Sequence, residues 1–221
     1  MTAKKHTKQQ RLVALGADVL ADALLDMAIT EHAVADRVVA MLANEATSVR
    51  LFQAQLKALE GSNRYANLRG KRGFSTALIL LLENLKRGVR NPVRGMECVV
   101  ALIAMDRFLF EECDHPDGDV TYALDFAAKE VFVPYAKACP DREKVMQMVL
   151  KLVEQDEYGS RTCILEHGEG FLSPDEMRRM VERLWSRAGP RMPRWMRDQA
   201  LCSIRILADQ LKDPVLREKA Q

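Results

Sequence analysis

Apolar residues recur along this chain at helical spacing. Val34, Val38, Met41 and Leu42 fall at i, i+4, i+7 and i+8. Val49, Phe52, Leu56 and Leu59 step by three, four and three. Val145, Met148, Val149, Leu152 and Val153 form a third stripe, and Met196, Ala200, Ile204, Leu207 and Leu211 a fourth. Each set lies on one face of a helix with 3.6 residues per turn, and a one-sided apolar stripe predicts a surface to cover it. No apolar–polar alternation bounded by turn residues occurs, so no strand is expected; Val131–Val133 is too short.

Local signals punctuate the stripes. Asn91-Pro92 reads as a cap followed by Pro at the first helical position. Ser173-Pro174-Asp175-Glu176 carries the elements of a reciprocal capping box. Gly61, Gly88, Gly159 and Gly189 stand where helices should stop, and Asp213-Pro214 ends the last long one. Pro134 should kink or end the helix around it. The expectation is an all-α fold of about ten helices, near 17–29, 31–43, 47–60, 75–88, 92–112, 119–137, 141–155, 161–167, 174–188 and 194–212. Short links suggest an antiparallel HEAT- or TPR-like stack or an irregular bundle. Residues 1–14 read as a basic tail and 15–221 as one domain, with a sub-boundary at the Gly-rich 61–74 loop.

Bulk properties narrow the function classes. With 33 Lys and Arg against 31 Asp and Glu, the net charge of +2 does not announce a nucleic-acid binder. The five cysteines make no CxxC pair, which argues against a disulfide framework or zinc ribbon. The polar start and the short apolar run Ala77–Leu82 predict neither secretion nor a membrane span. Together these point to the cytoplasm, with no cofactor.

Two polar stretches invite chemistry. "ECDHPDGD" (112–119) holds Cys113, Asp114, His115, Asp117 and Asp119. Placing Gly118 at the sixth position of a calcium loop puts Leu124 where a bidentate Glu is required, so that register fails. Zinc would need a second ligand pair at metal spacing. The stretch therefore reads as a turn, stopped by Pro116 and capped by Asp117 or Asp119. Within 154–168, Cys163 and His167 sit four apart on one helical face, the spacing of a nucleophile and its base, but without a supporting motif. Ser75 reads as a helix cap, and the phosphate-loop, dinucleotide, zincin and nucleophile-elbow patterns do not occur.

Charge clusters are the remaining signal. Arg64, Arg69, Lys71, Arg72, Arg87, Arg90 and Arg94 form one group. Arg187, Arg191 and Arg194 belong to a second, near Trp185 and Trp195. They offer a surface for nucleic acid or an acidic partner, or solvated helix faces. The leading expectation is a non-catalytic interaction protein with a protein partner and no membrane. Nucleic-acid binding through these clusters is the alternative, and an enzyme site near 112–119 or 154–168 a distant third.

Three stretches carry a resemblance: "LGADVLADALLDMA" (15–28), "FLFEECDHPDGDV" (108–120) and "EQDEYGSRTCILEHGEGFLSPDEMRRMVERL" (154–184). The chain resembles a bacterial all-helical family of unknown function whose members also occur as regions of SWIM zinc-finger proteins. The SWIM cysteines and histidines are missing, so the resemblance implies no zinc and no catalytic residues. It implies that the acidic Gly turn is architectural.

Overall fold

The computed structural model describes residues 2–61, 73–111, 118–189 and 192–220. Among these every regular element is helical and no strand occurs. In chain order the α-helices are α1 (Thr2–Val13), α2 (Ala17–Thr30), α3 (His32–Leu42), α4 (Glu45–Gly61), α5 (Gly73–Gly88), α6 (Pro92–Ile103) and α7 (Asp106–Glu111). They continue as α8 (Gly118–Phe126), α9 (Val133–Ala138), α10 (Arg142–Glu154), α11 (Cys163–Glu166), α12 (Pro174–Arg187), α13 (Arg194–Leu211) and α14 (Pro214–Lys219). Thr2–Val13 is thus helical where the apolar pattern predicts only a tail. Ser75 lies inside α5, which starts two residues before the expected cap.

The punctuation signals act as their chemistry requires. Asn91 Oδ1 accepts from the backbone N–H groups of Val93 and Arg94, satisfying donors that have no partner within the helix. Ser173 Oγ accepts from Glu176 N at 3.3 Å while Glu176 Oε2 accepts from Ser173 N at 2.7 Å, closing the capping box. Asp213 caps α14 by accepting from Leu216 N.

Two expectations change. The helix containing Pro134 does not end there. A π-helical segment, Ala127–Phe132, joins α8 to α9, and Val133 N bonds the Ala128 carbonyl five residues back. This wider turn accommodates a proline that has no N–H and would clash with a carbonyl in an ordinary α-helix. The helix expected over 92–112 breaks at Ala104–Met105, because Asp106 is fully buried and starts a new helix.

Three of the four stripes enter one core. Phe52, Leu56 and Leu59 of α4, Val145, Val149, Leu152 and Val153 of α10, and Ile204 and Leu207 of α13 are buried together with Leu82, Val99, Leu102 and Phe132. Helix α6 packs on the π segment and α9, and α10 packs on α12 and α13. Phe132 and Phe171 meet edge to face at 5.4 Å.

Gly95 lets α6 approach α9 closely: a Cβ there would lie 2.5 Å from the Tyr135 ring. The Tyr135 hydroxyl in turn donates to the Val89 carbonyl at 2.8 Å and the Leu85 carbonyl at 3.2 Å, closing the end of α5. Gly95→Ala should therefore destabilise the protein by about 1–3 kcal/mol through overpacking, despite the roughly 1 kcal/mol better helix propensity of Ala. A urea unfolding midpoint equal to or above that of the parent would contradict this close approach.

Candidate functional site

The most constrained polar region is the link between α10 and α11. Asp156 is 1% exposed. Its Oδ2 accepts from the backbone N–H groups of Arg161 at 2.9 Å and Thr162 at 3.2 Å, and from Gln199 Nε2 of α13 at 3.0 Å. Burial pushes the Asp156 carboxyl up, and the backbone donors pull it back. Gly159 takes φ +76°, a conformation glycine adopts without penalty, and its carbonyl accepts from Thr162 Oγ1. Gly159 therefore turns a loop instead of ending a helix; α10 has already stopped at Glu154.

The neighbouring Arg161 crosses to Asp106, 55 residues earlier. Arg161 Nη2 donates to Oδ1 at 2.7 Å and Nε to Oδ2 at 2.8 Å, a two-point pair that matches the planar guanidinium to the carboxylate. Ser160 Oγ and Arg107 N complete the set around Asp106, and Arg161 Nη2 also reaches the Ala104 carbonyl. Both Asp106 oxygens are thus taken by the chain itself. The constellation fastens the α6–α7 break to the α10–α11 loop.

Cys163 and His167 lie close in sequence but their side chains engage different partners. His167 Nε2 is 2.7 Å from Asp125 Oδ1. The Cys163 thiol faces the Leu124 carbonyl at 4.0 Å, and burial, with the acidic Glu166, Asp125 and Asp156 around it, pushes the thiol up to about 12. A nucleophilic cysteine needs the opposite environment. Cys163 should therefore alkylate far more slowly at pH 8 than the same thiol in urea-unfolded chain. A midpoint below pH 8 in its rate profile with iodoacetamide would restore it as a nucleophile.

Cys113, Asp114, His115 and Asp117 lie outside the described residues, as do Arg64, Arg69, Lys71, Arg72 and Arg191. Among the described residues no group of three or more His, Cys, Asp and Glu is placed to hold a metal ion.

The remaining basic candidates are interleaved with acids. Arg87 pairs with Glu83 at 3.2 Å. Glu45 gathers the next two, accepting from Arg90 N at 3.4 Å and lying 4.0 Å from the Arg94 guanidinium. Arg87 and Arg90 line an open cleft of about 510 Å³ with Met41 and Glu45. In the second cluster Arg187 pairs with Glu154, and Arg194 lies 3.7 Å from Asp198. Arg183 pairs with Glu143 at 2.7 Å.

The stripe over Val34–Leu42 is only partly covered: Val34 and Val38 are half-buried, and α3 packs on α5. Met41 is 65% exposed and Leu42 79%, although their spacing matches that of the buried helices. Helix α2, which packs on α3, has no buried residue, and its Ile29 is 82% exposed. Val19, Leu24, Leu25 and Met27 are exposed beside it. Among the described residues no helix is long and apolar enough to cross a membrane.

A family model matches residues 2–216. The chain belongs to DUF6880, a family of unknown function. No curated protein and no solved structure matches it. In this DUF6880 chain the acidic Tyr-Gly stretch 155–162 is the loop that Asp156 and Arg161 pin. The Leu-Gly-Ala stretch at 15–17 leads into α2, which has no buried residue.

Sequence pattern does not nominate Asp106 or Gln199. The one signal it holds is an acid inside an apolar run, "VVALIAMDRFLF" (99–110). A carboxylate carried into a core requires a partner, but nothing at fixed spacing names Arg161.

Proposed function

We propose that this DUF6880 chain is a helical interaction module that binds another protein through α2 and α3 and performs no chemistry of its own. The observation that carries this reading is the exposed end of the α3 stripe, Met41 and Leu42, backed by an α2 without a buried residue. Contiguous apolar surface beyond a few hundred Å² is rare on a monomer and marks a binding face. The cysteines among the described residues, Cys98, Cys139, Cys163 and Cys202, are free, which fits a reducing cytoplasm.

Nucleic acid is the weaker alternative. Phosphate binding needs a coherent set of free cations, and Arg87, Arg94, Arg187 and Arg194 each lie beside a carboxylate.

Affinity purification of the full chain from its native cell, with and without nuclease, tests the assignment. A protein retained after nuclease and lost from the Leu42→Arg variant is the expected result. Retention that disappears with nuclease and is indifferent to Leu42→Arg would transfer the function to the basic clusters.

A further inference from the structure

Eleven of the seventeen exposed large apolar side chains among the described residues fall between Leu12 and Leu42. At their exposures they present on the order of 1,000 Å² of surface, comparable to the roughly 800 Å² per partner of a standard protein interface. These side chains lie around α2 and at the end of α3, so a complex that covers part of them has apolar area to bury, and the charges indicate the occupant. Residues 1–14 contain Lys4, Lys5, Lys8 and Arg11 and no acid; residues 15–31 contain Asp18, Asp22, Asp26 and Glu31 and no Lys or Arg. Asp18, Asp22 and Asp26 follow one another at i+4, so they share one face of α2.

Among the described residues Lys8 and Arg11 do not meet the acids of α2. Helix α1 has no substantial packing against any described element, α2 included, although only Ala14, Leu15 and Gly16 separate the two helices. Lys8, Arg11, Asp18, Asp22 and Asp26 make no ion pair among the described residues, whereas the arginines of α5, α6 and α12 do. A basic helix with four cations and an acidic helix with three carboxylates, whose Lys8, Arg11, Asp18, Asp22 and Asp26 form no ion pair among the described residues, are complementary to those of another copy. A twofold arrangement uses both at once: each copy gives its base to the other's acid, and the contact closes.

We infer that the α1–α3 surface is covered by a second copy of this chain, the basic α1 of each copy lying against the acidic face of the other's α2 and enclosing the exposed apolar side chains. The inference rests on the interaction-surface reading above and names its partner. Electrostatic complementarity sets register, and apolar burial supplies the attraction.

Sedimentation velocity of the full chain across a micromolar concentration series is the test, with circular dichroism as a check of folding. The expected result is a dimer. Leu42→Arg, on a side chain already largely in solvent, should raise the dissociation constant by about tenfold or more at unchanged helicity. Replacing Asp18, Asp22 and Asp26 by Lys should weaken the dimer comparably. Combining that change with Lys4, Lys5, Lys8 and Arg11 replaced by Glu should restore it. A dimer indifferent to all these variants would overturn the assignment, placing the contact elsewhere. A monomer that binds an apolar dye, with the dye signal lost in Leu42→Arg, would also overturn the second copy while leaving the interaction surface intact. A monomer without dye binding, whose α2 and α3 amides resist hydrogen exchange like the core, would remove both.

Discussion

Asp106→Ala should lower the unfolding free energy by about 3–5 kcal/mol, the scale for stripping one partner from a buried ion pair. That is a large part of the roughly 5–15 kcal/mol that holds a typical domain together. The loss exceeds that of a hydrogen bond because Arg161 would be left charged, mostly buried, and without its two-point acceptor. The pair also joins segments 55 residues apart, so the α6–α7 turn and the α10–α11 loop would loosen together. Arg161→Ala should behave alike, and Asp106→Leu with Arg161→Met should recover much of the loss, since no lone charge remains. Asp198→Ala provides the contrast: its pair with Arg194 is exposed, and the expected change is within about 1 kcal/mol. Urea midpoints for the four variants measure the ranking. A loss for Asp106→Ala no larger than for Asp198→Ala would show that the buried pair adds nothing to the fold.

The contrast between Asp106 and Ser173 explains what is legible in the sequence. Ser173, Pro174 and Glu176 signal a helix start because the capping interaction is local: its donors and acceptors lie three residues apart. The stripes of α4, α10 and α13 are readable for the same reason, since burial imposes a period on a single element. The Asp106–Arg161 pair has no period and no fixed separation, so an acid in an apolar run resembles one uninterrupted helix. Pro134 is half legible. Its missing donor forecasts a disturbance, but whether the chain ends the helix or widens a turn depends on the packing of the π segment against α6. The stripe at Val34–Leu42 points to the correct helix, but only Val34 and Val38 are half-buried, while Met41 and Leu42 stay exposed. Periodicity records that a face is to be covered and is silent about which molecule covers it. For the same reason Cys163 and His167 look like a pair: helical spacing sets them on one side, while Leu124 and Asp125, from a helix some forty residues earlier, decide what each one meets.

Glu176→Gln should cost on the order of 2–3 kcal/mol at pH 7 and close to nothing at pH 2, the size that a carboxyl with so depressed a pKa implies. The Glu176 carboxylate is almost buried. Its two oxygens accept from Arg142 Nε at 2.9 Å and Nη2 at 3.3 Å, and Oε2 also accepts from Ser173 N. Arg142 further donates to the carbonyls of Ala136 and Phe171, so one guanidinium ties the end of α9, the start of α12 and its own helix α10. The Arg142 guanidinium, ahead of the Ser173 donors, holds the Glu176 carboxyl down at about 2 against an ordinary 4.5. A folded-state value below the unfolded one means that the unfolded chain binds the proton more readily. The stabilisation is therefore complete above about pH 5 and is lost as pH falls through 4.5 toward 2. A tenfold difference in proton affinity between the two states corresponds to about 1.4 kcal/mol, and partial exposure of Arg142 to solvent trims the total. Glutamine keeps an oxygen for Ser173 N and cannot ionise, so parent and variant should differ in urea midpoint at pH 7 and converge near pH 2. A difference that stays constant over that range would mean that Glu176 acts through packing and the capping box, without help from its charge.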